Sequence, residues 1–251
     1  MEFPKTDHFD IDIVRSKIMG PNTCKLTEEL MEGAGIPSGS VVLDLGSGSG
    51  ISSVMLAREY GLVTYAADLW SDPGENMRFF ESLGLTNREI VPIKADATQL
   101  PFAHGFFDAV VCVDSYNYYG RDPGFLGSCL LPFVKSGGTL HLAIPGMVRD
   151  CHENPPACLL ASWMPEQLDY IHDMAWWSRV IGCTDGIEIA SMREMGCTRE
   201  AWADWIACDN DYARGDRIAV EAGALDYLNT IAATLRKVSA VPSDDICHRR
   251  K

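Results

Sequence analysis

The sequence predicts an α/β fold built on a doubly wound, largely parallel sheet. Three observations predict it. Apolar runs at 41–45, 63–67, 90–94, 107–113 and 139–143 alternate with helical patterns. These runs are nearly continuous in apolar residues, as strands covered on both faces are. And Val41-Val42-Leu43-Asp44-Leu45 leads directly into Gly46-Ser47-Gly48-Ser49-Gly50 and then into the helical pattern Ile51-Ser52-Ser53-Val54-Met55-Leu56-Ala57. That last stretch reads as a buried strand, a tight turn and a helix. Glycine allows positive φ and close approach of backbone to a ligand. A helix N-terminus adds free N–H groups and the positive end of a dipole. It is a corner suited to a nucleotide-type ligand.

The elements follow in order. After a polar start, residues 24–31 form a helical pattern bounded by Pro21-Asn22-Thr23 and by Gly33 and Gly35. Pro37-Ser38-Gly39 is the loop before strand one. The helix from 51 to 60 is closed by Gly61, and strand two ends at Asp68. Asp72-Pro73 supplies an N-cap and a first helical proline for the next helix, which stops at Gly84. Strand three contains Pro92, so it belongs at a sheet edge. Strand four ends at Asp114. A helix over 123–134 is expected next, ended by Gly137-Gly138, and strand five follows. Residues 147–184 show no clean strand and hold Trp163, Trp176 and Trp177, which reads as an inserted helical cap over the carboxyl edge of the sheet. A sixth strand at 187–191, a helix at 198–207, a short helix at 218–222 and a seventh strand at 227–238 complete the reading. The expected division is an N-terminal helical segment (1–35), a cofactor-binding core (36–146), the cap (147–184), strands and helices that complete the sheet (185–240) and a flexible tail (241–251).

With 251 residues the chain can bury a full core. Its formal net charge of −14 disfavours nucleic acid and anionic membrane as partners. No apolar run is long enough to span a bilayer, and the start has neither a basic nor an apolar signal region. Nine cysteines, an odd and scattered set, read as reduced thiols, so a cytoplasmic location is expected. The oligomeric state stays open.

The glycines at 46, 48 and 50, with Ile at 51, depart from the G-x-G-x-x-G spacing of dinucleotide sites. Asp44 stands two residues before the first glycine. Further acids close strand two (Asp68), follow strand three (Asp96) and close strand four (Asp114). No basic residue occurs in the turn, as a phosphate-free ligand permits. Acids around the site suit a sulfonium cation better than a pyrophosphate.

This constellation resembles the class I S-adenosylmethionine-dependent methyltransferases, in particular the type 11 methyltransferase-domain group, over residues 41–146. The resemblance implies a Rossmann-like sheet of seven strands with the last antiparallel. It implies S-adenosylmethionine as cofactor, with S-adenosylhomocysteine as product. Gly46, Ser47 and Gly48, with Asp44 beside them, would carry the amino-acid end of the cofactor. Asp68 would bind the ribose hydroxyls, Leu69 would pack on adenine, and Asp96 and Ala97 would meet its amino edge. Asp114 and Ser115 would border the methionine portion. Ser136 stands where the group more often has proline, a departure that touches a turn.

Methyl transfer from a sulfonium needs positioning and exclusion of water more than a catalytic side chain. A base is required only where the acceptor holds its proton tightly. His172 is the candidate base. Tyr116 and Tyr119 after strand four, and Trp176 and Trp177, are candidate walls for the acceptor, and equally candidates for core packing. Cys151-His152 with Cys158 matches no zinc pattern, so no metal is expected. A thiophilic acceptor such as arsenite would need Cys24, Cys112, Cys151 and Cys158 to converge. Residues 18–22 are a possible cofactor contact. The reading is a methyltransferase acting on a small-molecule acceptor. Its alternatives are an NAD-dependent oxidoreductase and a non-catalytic S-adenosylmethionine-binding module.

Overall fold

The structure is a computed structural model and describes residues 2–238. The tail expected over 241–251 lies outside the described residues. The chain opens with helices α1 (Ile11–Lys17) and α2 (Thr23–Leu30), capped by the side chains of Asp10 and Asn22. Strand β1 (Val41–Leu45), α3 (Ile51–Tyr60), β2 (Val63–Asp68), α4 (Pro73–Ser82), β3 (Ile90–Lys94) and β4 (Phe107–Val113) then alternate. A short α5 (Tyr116–Tyr119) precedes the long β5 (Val134–Met147). Two four-residue helices, α6 (Ala157–Leu160) and α7 (Pro165–Leu168), and a two-residue strand β6 (His172–Asp173) lead to α8 (Met174–Gly182). Strand β7 (Ile187–Glu194), α9 (Thr198–Ile206), α10 (Asp211–Glu221) and β8 (Leu228–Lys237) complete the described chain.

The sheet runs in the order β3-β2-β1-β4-β5-β8-β7, with β6 paired to the end of β5. All pairs are parallel except those of β8, which runs antiparallel to both β5 and β7. This is the expected doubly wound sheet with one reversed strand, and Pro92 lies on the edge strand. The chain order reverses between β1 and β4, so the carboxyl ends of these two strands form the switch point where ligands bind in such sheets.

Both faces are covered. Leu43, Val110, Cys112, Leu140 and Leu142 point to one core, with Trp177 and Ile181 of α8. Val42, Val111 and Ala143 point to the other, with Leu26 and Leu30 of α2 and Leu56 of α3. This is the period-two alternation of strand side chains. Within the stretch expected as a cap, α6 and α7 pack by Leu159 and Leu168 against Ala219 and Leu228. Helix α8 instead packs into the main core.

Several elements differ from the sequence reading. The helix expected over 123–134 is a single wide turn (Leu126–Leu130) followed by a 3-10 turn (Leu131–Phe133). Gly124 and Gly127 favour helix weakly, and Pro132 has no N–H to donate. Helix α1 was hidden in the polar start. Helix α10 is longer than the expected 218–222 because Asn210 caps it from below, accepting from Ala213 N–H. Strand β6 is too short for any periodicity to show.

A buried acid ties the N-terminal helices to the far edge of the sheet. Glu29, 4% exposed, accepts hydrogen bonds from the N–H groups of Gly196 (2.9 Å) and Cys197 (2.8 Å) and pairs with the Arg193 guanidinium. Burial alone would raise its pKa, but the bonds from Cys197, Arg193 and Gly196 outweigh burial and hold it below the ordinary value. Glu29→Ala is expected to cost about 3 kcal/mol of stability in urea unfolding at neutral pH, as breaking a buried pair does. A carboxylate held low in the folded state stabilises above its unfolded pKa. The difference between the two proteins should therefore shrink as pH falls below the ordinary carboxylate range.

Candidate active site

The glycine turn after β1 is held from several sides. The N–H groups of Gly46 and Ser47 donate to the Ala67 carbonyl (2.8 and 3.2 Å). Gly48 N–H donates to Asp68 Oδ2 at 3.0 Å, and Gly48 accepts from Asn76 Nδ2 of α4 at 2.9 Å. Gly46 has φ +77, and a Cβ there would lie 2.1 Å from Ser115 Oγ, so the loop after β4 packs directly on the turn. Gly50 (φ +82) is similarly closed by the Phe80 ring, 2.4 Å from a would-be Cβ.

Below the turn, Ser115 Oγ donates to the Leu45 carbonyl (2.9 Å) and lies within 3.1 Å of Cys112 Sγ and 2.9 Å of the Tyr119 hydroxyl. Tyr119 also reaches Cys112 Sγ at 3.0 Å. Burial pushes the Cys112 thiol up to about 12, against its bonds to Ser115 and Tyr119, so it is a neutral structural group. Ser115 and Tyr119 are thus spent on the underside of the turn. Tyr116, 1% exposed, packs on Trp177 and Phe125 in the core. Trp177 is fully buried there. Of the four aromatic residues expected as acceptor walls, Tyr116 and Trp177 are core residues, Tyr119 is locked in this knot, and Trp176 stacks on His172.

The acids occupy three distinct settings. Asp44, 1% exposed, accepts on one oxygen from Ser52 Oγ (2.7 Å) and Ser53 Oγ (2.6 Å), joining β1 to the first turn of α3. Burial pushes its carboxyl up to about 6 despite those two bonds. Asp68 accepts from the N–H groups of Trp70 and Ser71 at 2.8 Å each, besides Gly48. Beside it Leu69 is 40% and Trp70 86% exposed. Asp96 uses one oxygen for Thr98 N–H and Oγ (2.8 and 2.7 Å). These two bonds hold its carboxyl below the ordinary value. Ala97 is half-buried behind it.

Asp114 differs from all of these. It is the one non-glycine residue with positive φ (+59) among the described residues. Its Oδ2 sits where a Cβ on Gly20 would be 2.3 Å away. Burial, and secondarily the charge of Asp216, pushes it up to about 7. With Pro21, Gly146, Trp202, Asn229 and other residues it lines a cavity of about 30 Å³. Residues 18–22 thus reach the same end of the sheet, and Asn229 and Trp202 complete it. Neither of these two had a motif to mark it. Ile171, not His172, lines that cavity. His172 stacks on Trp176 (centroids 3.6 Å, planes 10° apart) and lies 4.9 Å from the ring of His152. Burial, then the neighbouring His152, lowers its pKa. A larger cavity of about 220 Å³ opens beside Thr139, His141 and Arg236, away from the glycine turn. The four cysteines considered for a thiophilic acceptor fall into three separate clusters, with Cys24, Cys112 and the Cys151–Cys158 pair apart.

A protein-family model for a methyltransferase domain matches residues 43–142, from β1 into β5. These residues are a methyltransferase domain, as the sequence reading expects. No curated protein matches the sequence. Among solved structures, geranyl diphosphate C-methyltransferase from Streptomyces coelicolor A3(2), crystallised with Mg2+, geranyl diphosphate and S-adenosyl-L-homocysteine, superposes with a TM-score of 0.66 at 17% identity, over 86% of this chain and 80% of that one. Phosphoethanolamine N-methyltransferase 2 from Haemonchus contortus, in complex with S-adenosyl-L-methionine, gives 0.68 at 17% identity, over 91% and 57%. The [4+2]-cyclase SpnF gives 0.69 at 16% identity, over 95% and 94%. At such identities the likeness is one of fold.

Two substitutions in the turn separate backbone strain from packing. Gly48 has φ +54 with nothing within 4 Å of a would-be Cβ, so Gly48→Ala should cost only about 1 kcal/mol. Gly46→Ala adds the collision with Ser115 and should cost about 3 kcal/mol, read as the difference in urea midpoints at equal m-value.

Proposed function

We infer that this methyltransferase takes its methyl group from S-adenosylmethionine and passes it to a small-molecule acceptor. The observation that carries the reading is the cavity at the carboxyl ends of β4 and β5. It contains Asp114, one residue before the Ser115 that packs on the glycine turn, and is lined by Pro21 and Trp202, and its small size suits a small reacting group better than a broad surface.

The residues present fit the cofactor. Ser47 Oγ is buried in the turn with no partner among the described residues, as a group that waits for a polar ligand would be. Asp44, Gly46, Ser47 and Gly48 would hold the amino-acid end. Asp68 would take the ribose hydroxyls, Leu69 the adenine face, and Asp96 with Ala97 its amino edge. Ser115 acts through the turn it supports rather than by contact. When bound, S-adenosylmethionine supplies an activated methyl group on a sulfonium. The chain's own part is to orient the acceptor in line with that group and to keep water out. The ring of Asp44, Asp68 and Asp114 favours the positive sulfonium over a neutral product.

The net charge of −14 argues against a nucleic-acid acceptor. Among the described residues no helix is long and apolar enough to cross a membrane, and the eight cysteines there are free thiols. These support a reducing compartment such as the cytoplasm. A second reading comes from the cyclase neighbour, in which the same fold serves a reaction other than methyl transfer. Release of S-adenosylhomocysteine in step with acceptor methylation separates the two.

Calorimetry tests the cofactor. S-adenosylmethionine and S-adenosylhomocysteine are expected to bind, and Asp68→Ala should weaken both by about 1–3 kcal/mol by leaving hydroxyls unpaired. Binding of NAD alone would overturn the reading.

A further inference from the structure

The reversed strand β8 brings Asn229 to the same edge as Asp114. Asn229 pairs in register with Gly146 of β5, and its Oδ1 would meet a Cβ on Gly146 at 2.6 Å. The residue is 7% exposed, and neither its Oδ1 nor its Nδ2 has a partner among the described residues. A buried amide with both ends unpaired is costly unless a ligand or water satisfies it. Across the cavity the Asp114 carboxylate accepts no hydrogen bond from any described residue. It is also held in a left-handed backbone conformation, which turns it toward Gly20. The cavity volume of about 30 Å³ exceeds the roughly 10–15 Å³ that a single water needs on the same measure. It therefore has room for a small polar group, with Pro21, Ile171, Leu228 and Trp202 as apolar lining for the carbon that bears it.

We propose that Asp114 and Asn229 form the reacting end of the acceptor subsite, which takes a hydroxyl group, with Asp114 as its general base. This rests on the methyltransferase reading above. A hydroxyl oxygen can donate its proton to Asp114, accept from the Asn229 amide and still keep a lone pair for the methyl carbon. A neutral amine has one lone pair, and a hydrogen bond from the amide would occupy it. The balance is complete within the site. The O–H bond breaks and its proton passes to the Asp114 carboxylate, the O–CH3 bond forms, and the C–S bond breaks with its electron pair left on the sulfur. The groups that face Asp114 agree with this role. Cys112 and Tyr118 are pushed up and stay neutral, and the Asp216 carboxylate, which accepts from Trp163 and Trp205, adds negative charge. Burial and Asp216 hold Asp114 up to about 7, where a base both ionises and accepts a proton near neutral pH.

The test uses the full chain with isotopically labelled S-adenosylmethionine and matched acceptor sets that differ in the nucleophile alone: phenol, aniline and thiophenol, and their benzyl counterparts. Mass spectrometry of the products is expected to show methyl ethers from the hydroxyl members. Asp114→Asn keeps a residue that tolerates positive φ. It should lower kcat on the hydroxyl acceptor about 100-fold or more. The rise of rate with pH through about 7 should disappear. Asn229→Ala should raise the acceptor's KM with the cofactor still bound. Methylation of amine or thiol members alone, a hydroxyl rate indifferent to Asp114→Asn, or no turnover of any member by cofactor-loaded protein would each overturn the proposal. Failure of S-adenosylmethionine to bind at all would instead overturn the reading beneath it.

Discussion

The packing of Ser115 onto Gly46 is the contact on which the rest of the site depends. It joins the loop after β4 to the turn after β1 at the place where the sheet reverses its winding. One hydroxyl does this by donating a hydrogen bond to the Leu45 carbonyl while Cys112 and Tyr119 close in around it. The glycine is required because no side chain fits between the two loops. The serine is required because a buried carbonyl at the end of β1 needs a donor. The glycine turn and Asp114 are both placed by this contact. The glycine turn is held open above it, and Asp114 is set one residue before it in a left-handed conformation.

The corner from Val41 to Ala57 was legible because strand, turn and helix each carry their own signal over adjacent residues. Apolar continuity, glycine spacing and helical periodicity agreed there. Asp44 was legible by its place before the glycines and Asp68, Asp96 and Asp114 by theirs at strand ends, although hydrogen bonds such as those of Ser52, Ser53 and Asn76 had no pattern to show them. The loop after β4 was readable only as a place. In the four-residue helix α5, Tyr116 and Tyr119 stand three apart and both turn inward, but sequence does not say whether inward means core or pocket. Here it means core for the first and a hydrogen-bond knot for the second. Asn229 was invisible because it stands at the start of an apolar strand, where an amide reads as a boundary residue. The segment from 147 to 173 resisted reading for a different reason. Its helices are single turns that exist by packing rather than by propensity.

The solved neighbours carry two methyl transfers to different acceptors and one cycloaddition on this architecture. The parallel half of the sheet and its turn are common ground, whereas chemistry is set by a handful of side chains at the carboxyl edge. In this chain that edge is lined by Pro21 from a segment before the sheet, by Asp114 after β4 and by Leu228, Asn229 and Thr230 at the start of β8. Pro21 and Asn229 fall within no recognisable motif, which is why the donor was easier to name than the acceptor.

The reversal of β8 also has a temporal side. A strand that runs against its neighbours begins where they end, so Leu228, Asn229 and Thr230 arrive at the carboxyl edge after β1 to β7 have been made. The glycine corner and the Ser115 that packs on it are both in the chain well before β8. A growing chain, which folds from its beginning, therefore has its glycine turn and the loop after β4 before it has the strand that completes that edge. The carboxyl edge beside Asp114 is finished only when β8 joins the sheet.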